Sequence, residues 1–369
     1  MSGFETSGVV AGGGGGRNQP PPPPTTRAVR FHRLGGPEVL QIETVTLAPP
    51  GPGEVCIRVE ALGLNRAEAA FRGGHYLELP NLPSGLGYEA AGVIVALGPD
   101  VPGFAPGDPV CVLPAISMTR HPLQAEYAVV PASALVARPA GLDAPQAAAL
   151  WMAALTAYGG LVDIGKLGPG DGAIVTAASS SVGIAALQLA RALGAIPIAL
   201  TRDPGKVEAL RRHGAEHVIV GTPDATLASR VAAVTGGLGA RLAFDPVAGP
   251  TALPLAAALR RGGTLVVYGN LGGEAEHTPF PFYAAVGKGL SMRGYLVFEL
   301  LADARRLAAA RGFIELALAA GTLFPVIDRV FPFNDIVGAY RHLESNAQVG
   351  KVVVSLDHGG APFTPEEHS

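Results

Sequence analysis

Asn65 and Tyr76 stand eleven residues apart, and both side chains are able to donate a hydrogen bond to a carbonyl oxygen. They flank RAEAAFRGG, which has the composition of a short helix and turn. The same residue types also serve in loop capping and packing. A second constellation does its chemistry with backbone. From Gly170 to Arg202 the chain reads GDGAIVTAASSSVGIAALQLARALGAIPIALTR: an apolar run, a turn of small residues, a helix and another apolar run. In such a βαβ unit the free N–H groups at the start of the helix hold a pyrophosphate, aided by the helix dipole. The turn residues that would meet it are Ala178, Ser179, Ser180, Ser181, Val182 and Gly183.

The helix after the turn has one clean face. Val182, Ala185, Ala186, Leu189, Ala190 and Leu193 recur at helical spacing and lay an apolar stripe against a sheet. Where G-x-G-x-x-G is usual, the turn has Ala178-x-Ser180-x-x-Gly183. Alanine is acceptable there if the turn keeps ordinary backbone angles. Ser180 puts a hydroxyl where close phosphate approach favours glycine, and that hydroxyl offers a compensating donor. The strand that follows ends at Thr201 and Arg202, about twenty residues beyond the turn, where an NAD-selective unit places an acid on the ribose. Thr201 is not acidic, and Arg202 and Lys206 are available for an extra 2′-phosphate, so NADPH is the expected cofactor. Asp203 weighs against this if it turns inward or pairs with Arg202; a solvated charge cluster is the alternative. Tyr268, Gly269 and Asn270 end the fifth strand at the carboxyl edge of the sheet, where backbone contacts from Gly269 and Asn270 to a nicotinamide carboxamide are expected.

Composition narrows the class. With 369 residues, 48% of them hydrophobic, the chain has material for two domains. A net charge of −3 with interspersed signs provides no basic face for nucleic acid. No run of eighteen apolar residues occurs, so no membrane role is expected. Two cysteines, Cys56 and Cys111, exclude a disulfide framework and suit a reducing, cytoplasmic location. Residues 1–26, with AGGGGG and QPPPPP, read as a disordered tail rather than a secretory signal.

From Arg27 to about Ala140, short alternating runs broken by Gly and Pro predict a compact β domain. An Ala-rich helix follows. Six strands, AIVTA, AIPIAL, HVIVG, RLAFDPV, TLVVYG and SMRGYLVF, with helical spacers near 183–193, 204–213, 225–235 and 251–260, then predict a doubly wound parallel sheet. The late run VVVSL is expected to rejoin the first domain; a small separate C-terminal domain is the alternative.

The stretches GLNRAEAAFRGGHY, GLGYEAAGVIVALG, GFAPGDPV, WMAALTAYGGL, GDGAIVTAASSSVG, GGTLVVYG, KGLSMRGY and VGKVVVSL occur in the order seen in the medium-chain dehydrogenase/reductase superfamily. The chain resembles most its zinc-independent quinone oxidoreductase branch. That resemblance implies an α/β protein with a GroES-like β-barrel catalytic domain over 27–152 completed by 299–369, a Rossmann NADPH-binding domain over 153–298, and commonly a homodimer, for which the edge run SMRGYLVF is the candidate seam. It suggests Tyr76 as proton donor or enolate stabiliser and Asn65 as the group that polarises the carbonyl. It also brings Thr156 near the nicotinamide, although a helix-interior hydroxyl bonded back to its own helix is the alternative, and carries Lys351 to the cofactor.

Zinc alcohol dehydrogenases of the superfamily hold their metal with Cys, His and Cys at positions that here read Asn65, Tyr88 and Met152. An amide, a phenol and a thioether do not replace two thiolates and an imidazole. No metal is therefore expected, and Glu89, which persists from that pattern, either satisfies buried polar groups or supplies protons. Without a Lewis acid the favoured substrates are quinones and α,β-unsaturated carbonyl compounds, reduced by direct hydride transfer. The competing readings are an enoyl thioester reductase of a biosynthetic pathway and a non-catalytic NADPH-binding protein.

Overall fold

The computed structural model describes residues 21–273 and 277–357. Most of the expected N-terminal tail therefore lies outside the described residues. Its last residues do not: β1 (Thr25–Arg30) starts inside the stretch assigned to the tail and pairs with β2 (Gln41–Thr46). The β-branched Thr25 and Thr26 extend the strand back toward the proline run.

Alternation in EVCIRVEALG turns Val55, Ile57, Val59 and Ala61 into the core, and this long β3 (Glu54–Gly63) organises the first sheet. Beside it lie β4 (Ala90–Leu97), β5 (Pro109–Val112), β6 (Tyr127–Pro131) and β7 (Leu135–Ala137). The short helix α1 (Arg66–Gly73) leaves the end of β3, and helices α2 (Ala144–Ala148) and α3 (Trp151–Tyr158) lead into the second sheet. Helical structure over 144–164 is long and apolar enough to cross a membrane, but 78% of its apolar window is buried inside the protein.

The second sheet is wholly parallel and has six strands, β8 (Gly172–Val175), β9 (Ile196–Thr201), β10 (His217–Val220), β11 (Ala240–Asp245), β12 (Leu259–Val267) and β13 (Ser291–Gly294). Their order is β10-β9-β8-β11-β12-β13, so the chain winds outward in both directions from the β8/β11 boundary. That boundary is the topological switch point at which open α/β sheets bind ligands. Helix α4 (Ser181–Ala192) joins β8 to β9 and buries Ala185, Ala186, Leu189 and Ala190 as its spacing predicts. Two expectations shift. SMRGYLVF is strand only as far as Gly294; Tyr295 turns inward, its hydroxyl donating to Leu155 O at 3.3 Å, and Val297–Leu301 is helical. The helix expected over 251–260 ends at Ala258, where β12 begins.

Late in the chain, β14 (Ile327–Pro332) pairs parallel with β15 (Lys351–Ser355), and β15 pairs antiparallel with β3 through Val353 opposite Gly63. The C-terminal strand is thus built into the first sheet. Cys56 and Cys111 are free and buried, and burial pushes their thiols up to about 11 and about 12.

Candidate active site

The turn after β8 is tight because its residues are small. Gly183 lies so close to the turn that a Cβ would come within 2.6 Å of Ala178 O. Ala178 is buried and has no positive φ; the left-handed residue is Ala177, with φ of 45°. Ala178 thus meets the condition under which alanine is acceptable at the first position of the turn. Ser180 is the N-cap of α4, and its hydroxyl accepts a hydrogen bond from Gly183 N at 3.0 Å, so its first task is local capping. The N–H groups of Ser181 and Val182 precede the first carbonyl that the helix itself can offer. These are the donors that suit a pyrophosphate, at the start of a 12-residue helix.

Across the switch point, Thr176 donates its hydroxyl to Asp245, which also accepts from Val247 N at 3.1 Å and Ala248 N at 2.9 Å. The carboxyl ends of β8 and β11 are thereby bolted together beside the turn. Composition alone does not single out this pair. Tyr268 stacks on Phe244 at 4.0 Å, its hydroxyl out of solvent and without a partner among the described residues. Gly269 abuts Pro246, whose carbonyl would be 3.0 Å from an added Cβ, and Asn270 is exposed.

At the end of β9, Thr201 Oγ1 accepts from Asp203 N at 3.2 Å, and Asp203 Oδ1 accepts from Gly205 N at 2.8 Å. Asp203 is thus turned into its own loop, and no ion pair joins it to Arg202 among the described residues. Arg202 is exposed. Lys206, in contrast, is only 8% exposed and donates to Ser179 Oγ at 3.1 Å, Asn346 O at 2.8 Å and Gln348 O at 2.9 Å. All three of its protons are engaged, so it is not the free second cation expected for a 2′-phosphate. It ties the turn to the loop before β15. Gly350 N adds a bond to Ser179 O at 2.9 Å.

The next residue, Lys351, is 1% exposed and does not reach outward to a cofactor. Its ammonium ion-pairs with Glu89 and donates to Asn65 Oδ1 at 2.7 Å. Asn65 is held on every side, its Nδ2 donating to Gly63 O at 2.9 Å and, at 3.3 Å, to both Glu68 Oε1 and Glu89 Oε1. With its amide turned into the fold, Asn65 does not present the donor expected to polarise a substrate carbonyl; it organises the charges behind the site. Glu89 Oε2 accepts from Met152 N at 2.8 Å, so this carboxylate satisfies buried polar groups. Thr156 donates to Met152 O at 2.6 Å, the back-bonded arrangement of a helix interior.

Glu68 was not apparent as a functional residue, although Asn65-x-x-Glu68 is the spacing of a capping box. Fully buried, it accepts from Asn65 N and Tyr88 N at 3.0 Å each and from Tyr340 Oη at 2.7 Å. Burial raises its pKa against these donors. Tyr76, half-buried, packs edge-on against Tyr88 with ring centroids 6.2 Å apart, and Tyr88 packs against Phe298 at 5.6 Å. Burial raises the pKa of Tyr76. Its loop is fastened by Glu78, which accepts from Ser117, from Met118 N at 3.2 Å and from Thr119 N at 3.3 Å. Met118 and Trp151 are core residues, whereas Phe298, beside Tyr88, is only partly buried. His75 is exposed, and His121 sits 3.8 Å from Glu54; among the described residues no three His, Cys, Asp or Glu side chains converge as metal ligands.

Comparison with known proteins places this geometry in context. Residues 51–140 match the family model of the alcohol dehydrogenase GroES-like domain, and residues 181–311 match that of the zinc-binding dehydrogenase. Quinone oxidoreductase 1 of Escherichia coli (strain K12) is 30% identical over 334 residues, covering 87% of this chain and 97% of that protein. The 2-haloacrylate reductase of a Burkholderia species is 28% identical, covering 89% of this chain and 98% of the other. Among solved structures, Escherichia coli quinone oxidoreductase complexed with NADPH superposes with a TM-score of 0.79 at 28% identity, covering 89% of this chain and 99% of that one.

Proposed function

The chain belongs to the medium-chain dehydrogenase/reductase superfamily, in its quinone oxidoreductase-like branch, and on that premise we propose that it reduces quinones or α,β-unsaturated carbonyl compounds with NADPH and without zinc. The observation that carries this reading is the junction at Gly350 and Lys351. Gly350 is bonded to the small-residue turn, and Lys351 to the buried cluster of Asn65 and Glu89, so one strand end supports both the proposed dinucleotide turn and the charges behind the proposed reaction site.

The residues fit the cofactor. The open N–H groups of Ser181 and Val182, the close approach at Gly183 and the exposed Arg202 suit a pyrophosphate and a 2′-phosphate. Tyr268, Gly269 and Asn270 lie at the carboxyl edge, beside the proposed nicotinamide position. When bound, NADPH supplies a hydride to the electron-poor carbon of the acceptor. Tyr76 then donates to the oxygen on which negative charge gathers and gives up its proton there; water returns one to the phenolate. The residues at the positions of the superfamily's zinc ligands do not fit a metal. Asn65, Tyr88 and Met152 provide neither thiolate nor imidazole, and the cation beside Asn65 is the Lys351 ammonium. Assembly as a homodimer through β13 agrees with its place at the sheet edge and with the exposed Phe282, Tyr283 and Val286 on the preceding helix. Sedimentation at micromolar concentration checks it.

The decisive experiment is an anaerobic NADPH-oxidation screen over quinones, enones, acrylates and acyl thioesters. Turnover of quinones or enones is the expected result. Tight NADPH binding with no oxidation of any class would leave a cofactor-binding protein without reductase activity.

A further inference from the structure

Two carboxylates and one ammonium lie sealed together behind the proposed reaction site. Glu68, Glu89 and Lys351 are 0%, 2% and 1% exposed, and the Asn65 amide joins them, its Oδ1 accepting from Lys351 at 2.7 Å and its Nδ2 donating at 3.3 Å to Glu68 Oε1 and to Glu89 Oε1. Lys351 ion-pairs with Glu89. Glu68 has no cation of its own among the described residues; its other contacts are Asn65 N and Tyr88 N at 3.0 Å each, Tyr340 Oη at 2.7 Å and Gln124 Nε2 at 3.3 Å. Every one of these groups donates, so a proton on either oxygen of Glu68 would have no acceptor to point at. Glu89 is in the same position, with Met152 N at 2.8 Å on its second oxygen. Arg72, over the Tyr340 ring at 5.2 Å, is already paired with Glu344 at 2.7 Å. Burial works against the charge on Glu68, while its donors and the Lys351 ammonium favour it. Two acids facing donors and one base leave the cluster with a single uncompensated negative charge.

A buried charge without a counterion is costly, and the proposed reaction produces a cation. Hydride transfer breaks the C4–H bond of the dihydronicotinamide with its electron pair, forms a C–H bond on the acceptor and leaves the nicotinamide ring positively charged. The expected place of that ring is beside Thr156, one helical turn beyond Met152, whose N–H is bonded to Glu89. We infer that the Asn65-bridged cluster of Glu68, Glu89 and Lys351 biases the oxidation state of the bound cofactor: its net negative charge tightens NADP+ relative to NADPH, which makes bound NADPH the stronger reductant. The charge acts through space and touches neither cofactor nor acceptor. Out of water it is felt over a longer range than a surface carboxylate, and salt does little to screen it. The inference rests on the reading of the protein as an NADPH-dependent reductase with its nicotinamide beside Thr156.

The test is calorimetric titration of the parent and Glu68→Gln with NADP+ and with NADPH, in the absence of any acceptor. Both cofactors carry the same phosphates, so the ratio of their Kd values isolates the charge on the ring. Glu68→Gln keeps the size of the side chain and should raise Kd(NADP+)/Kd(NADPH) about three- to tenfold, the order expected of one buried unit charge at an effective dielectric of about 20. Glu89→Gln removes different hydrogen bonds but neutralises the same cluster, so it should move the ratio in the same direction; it also carries the test should Glu68→Gln fail to fold. The shift should persist in about 0.5 M NaCl. In 13Cδ-glutamate spectra the resonance missing from Glu68→Gln should lie among ionised carboxylates at pH 7. An unchanged ratio in either folded variant, or a Glu68 resonance at the protonated position, would overturn the inference while leaving the reductase reading intact. A parent protein that binds neither cofactor would overturn both.

Discussion

Lys351 and Asn65 lie 286 residues apart in the chain and meet at 2.7 Å. The same ammonium ion-pairs with Glu89, both side chains being about 1% exposed. A buried pair of this kind is poor evidence of net stabilisation, but breaking it leaves a charge with no counterion. Lys351→Met is therefore expected to destabilise the fold by about 3–5 kcal/mol, and adding Glu89→Gln should recover part of the loss. Urea unfolding of the two variants measures both quantities.

Arg202 and Lys206 separate two effects that look alike in a list of cations. Arg202 is exposed, whereas Lys206 is committed to Ser179, Asn346 and Gln348. Arg202→Ala should reduce the preference for NADPH over NADH about tenfold, the loss expected for one charge-assisted phosphate contact. Lys206→Ala should weaken both cofactors by similar factors, because it loosens the turn itself. Calorimetric titration with each cofactor distinguishes them, and an unchanged ratio in Arg202→Ala would remove the basis for assigning NADPH.

Ala177 occupies left-handed backbone space at φ of 45°. An L-residue there costs about 1–2 kcal/mol, against about 0.5–1 kcal/mol for the extra freedom of an unfolded glycine. Ala177→Gly should consequently raise stability by about 0.5–1 kcal/mol and leave NADPH affinity intact or better. A lower thermal midpoint would show that the alanine methyl is held by packing that outweighs its strain.

Glu78 fastens the Tyr76 loop to residues 117–119. Burial works against its charge, but the donors from Ser117 and Thr119 prevail and hold its carboxyl below the ordinary 4.5. A depressed pKa in the folded state stabilises above the unfolded value and is lost as pH falls through the folded one. The difference in thermal midpoint between the parent and Glu78→Gln should stay level from pH 7 to about 5 and close in more acid solution. A difference constant down to pH 3 would contradict this.

The dinucleotide unit was legible because its signals are local. Helical spacing from Val182 to Leu193, flanking β-branched runs and a turn of small residues all survive translation into structure, since each depends on neighbours a few positions away. Ala178 keeps the ordinary backbone that alanine requires there, but that its neighbour Ala177 is the left-handed residue is told only by backbone geometry.

What spacing could not reveal was the direction in which polar side chains point. Arg202 remains exposed, but Lys206 finds carbonyls 140 and 142 residues away, and Lys351 finds Glu89 at a separation of 262. Chain order determined that there would be a parallel sheet, a glycine-tight turn and residues unsuited to zinc. Only the tertiary structure decided that Asn65 faces inward, that Asp203 leaves Arg202 alone and that Tyr88 sits behind Tyr76. A buried polar group takes whichever partner the packed elements bring to it, and long-range packing leaves no periodic trace in sequence.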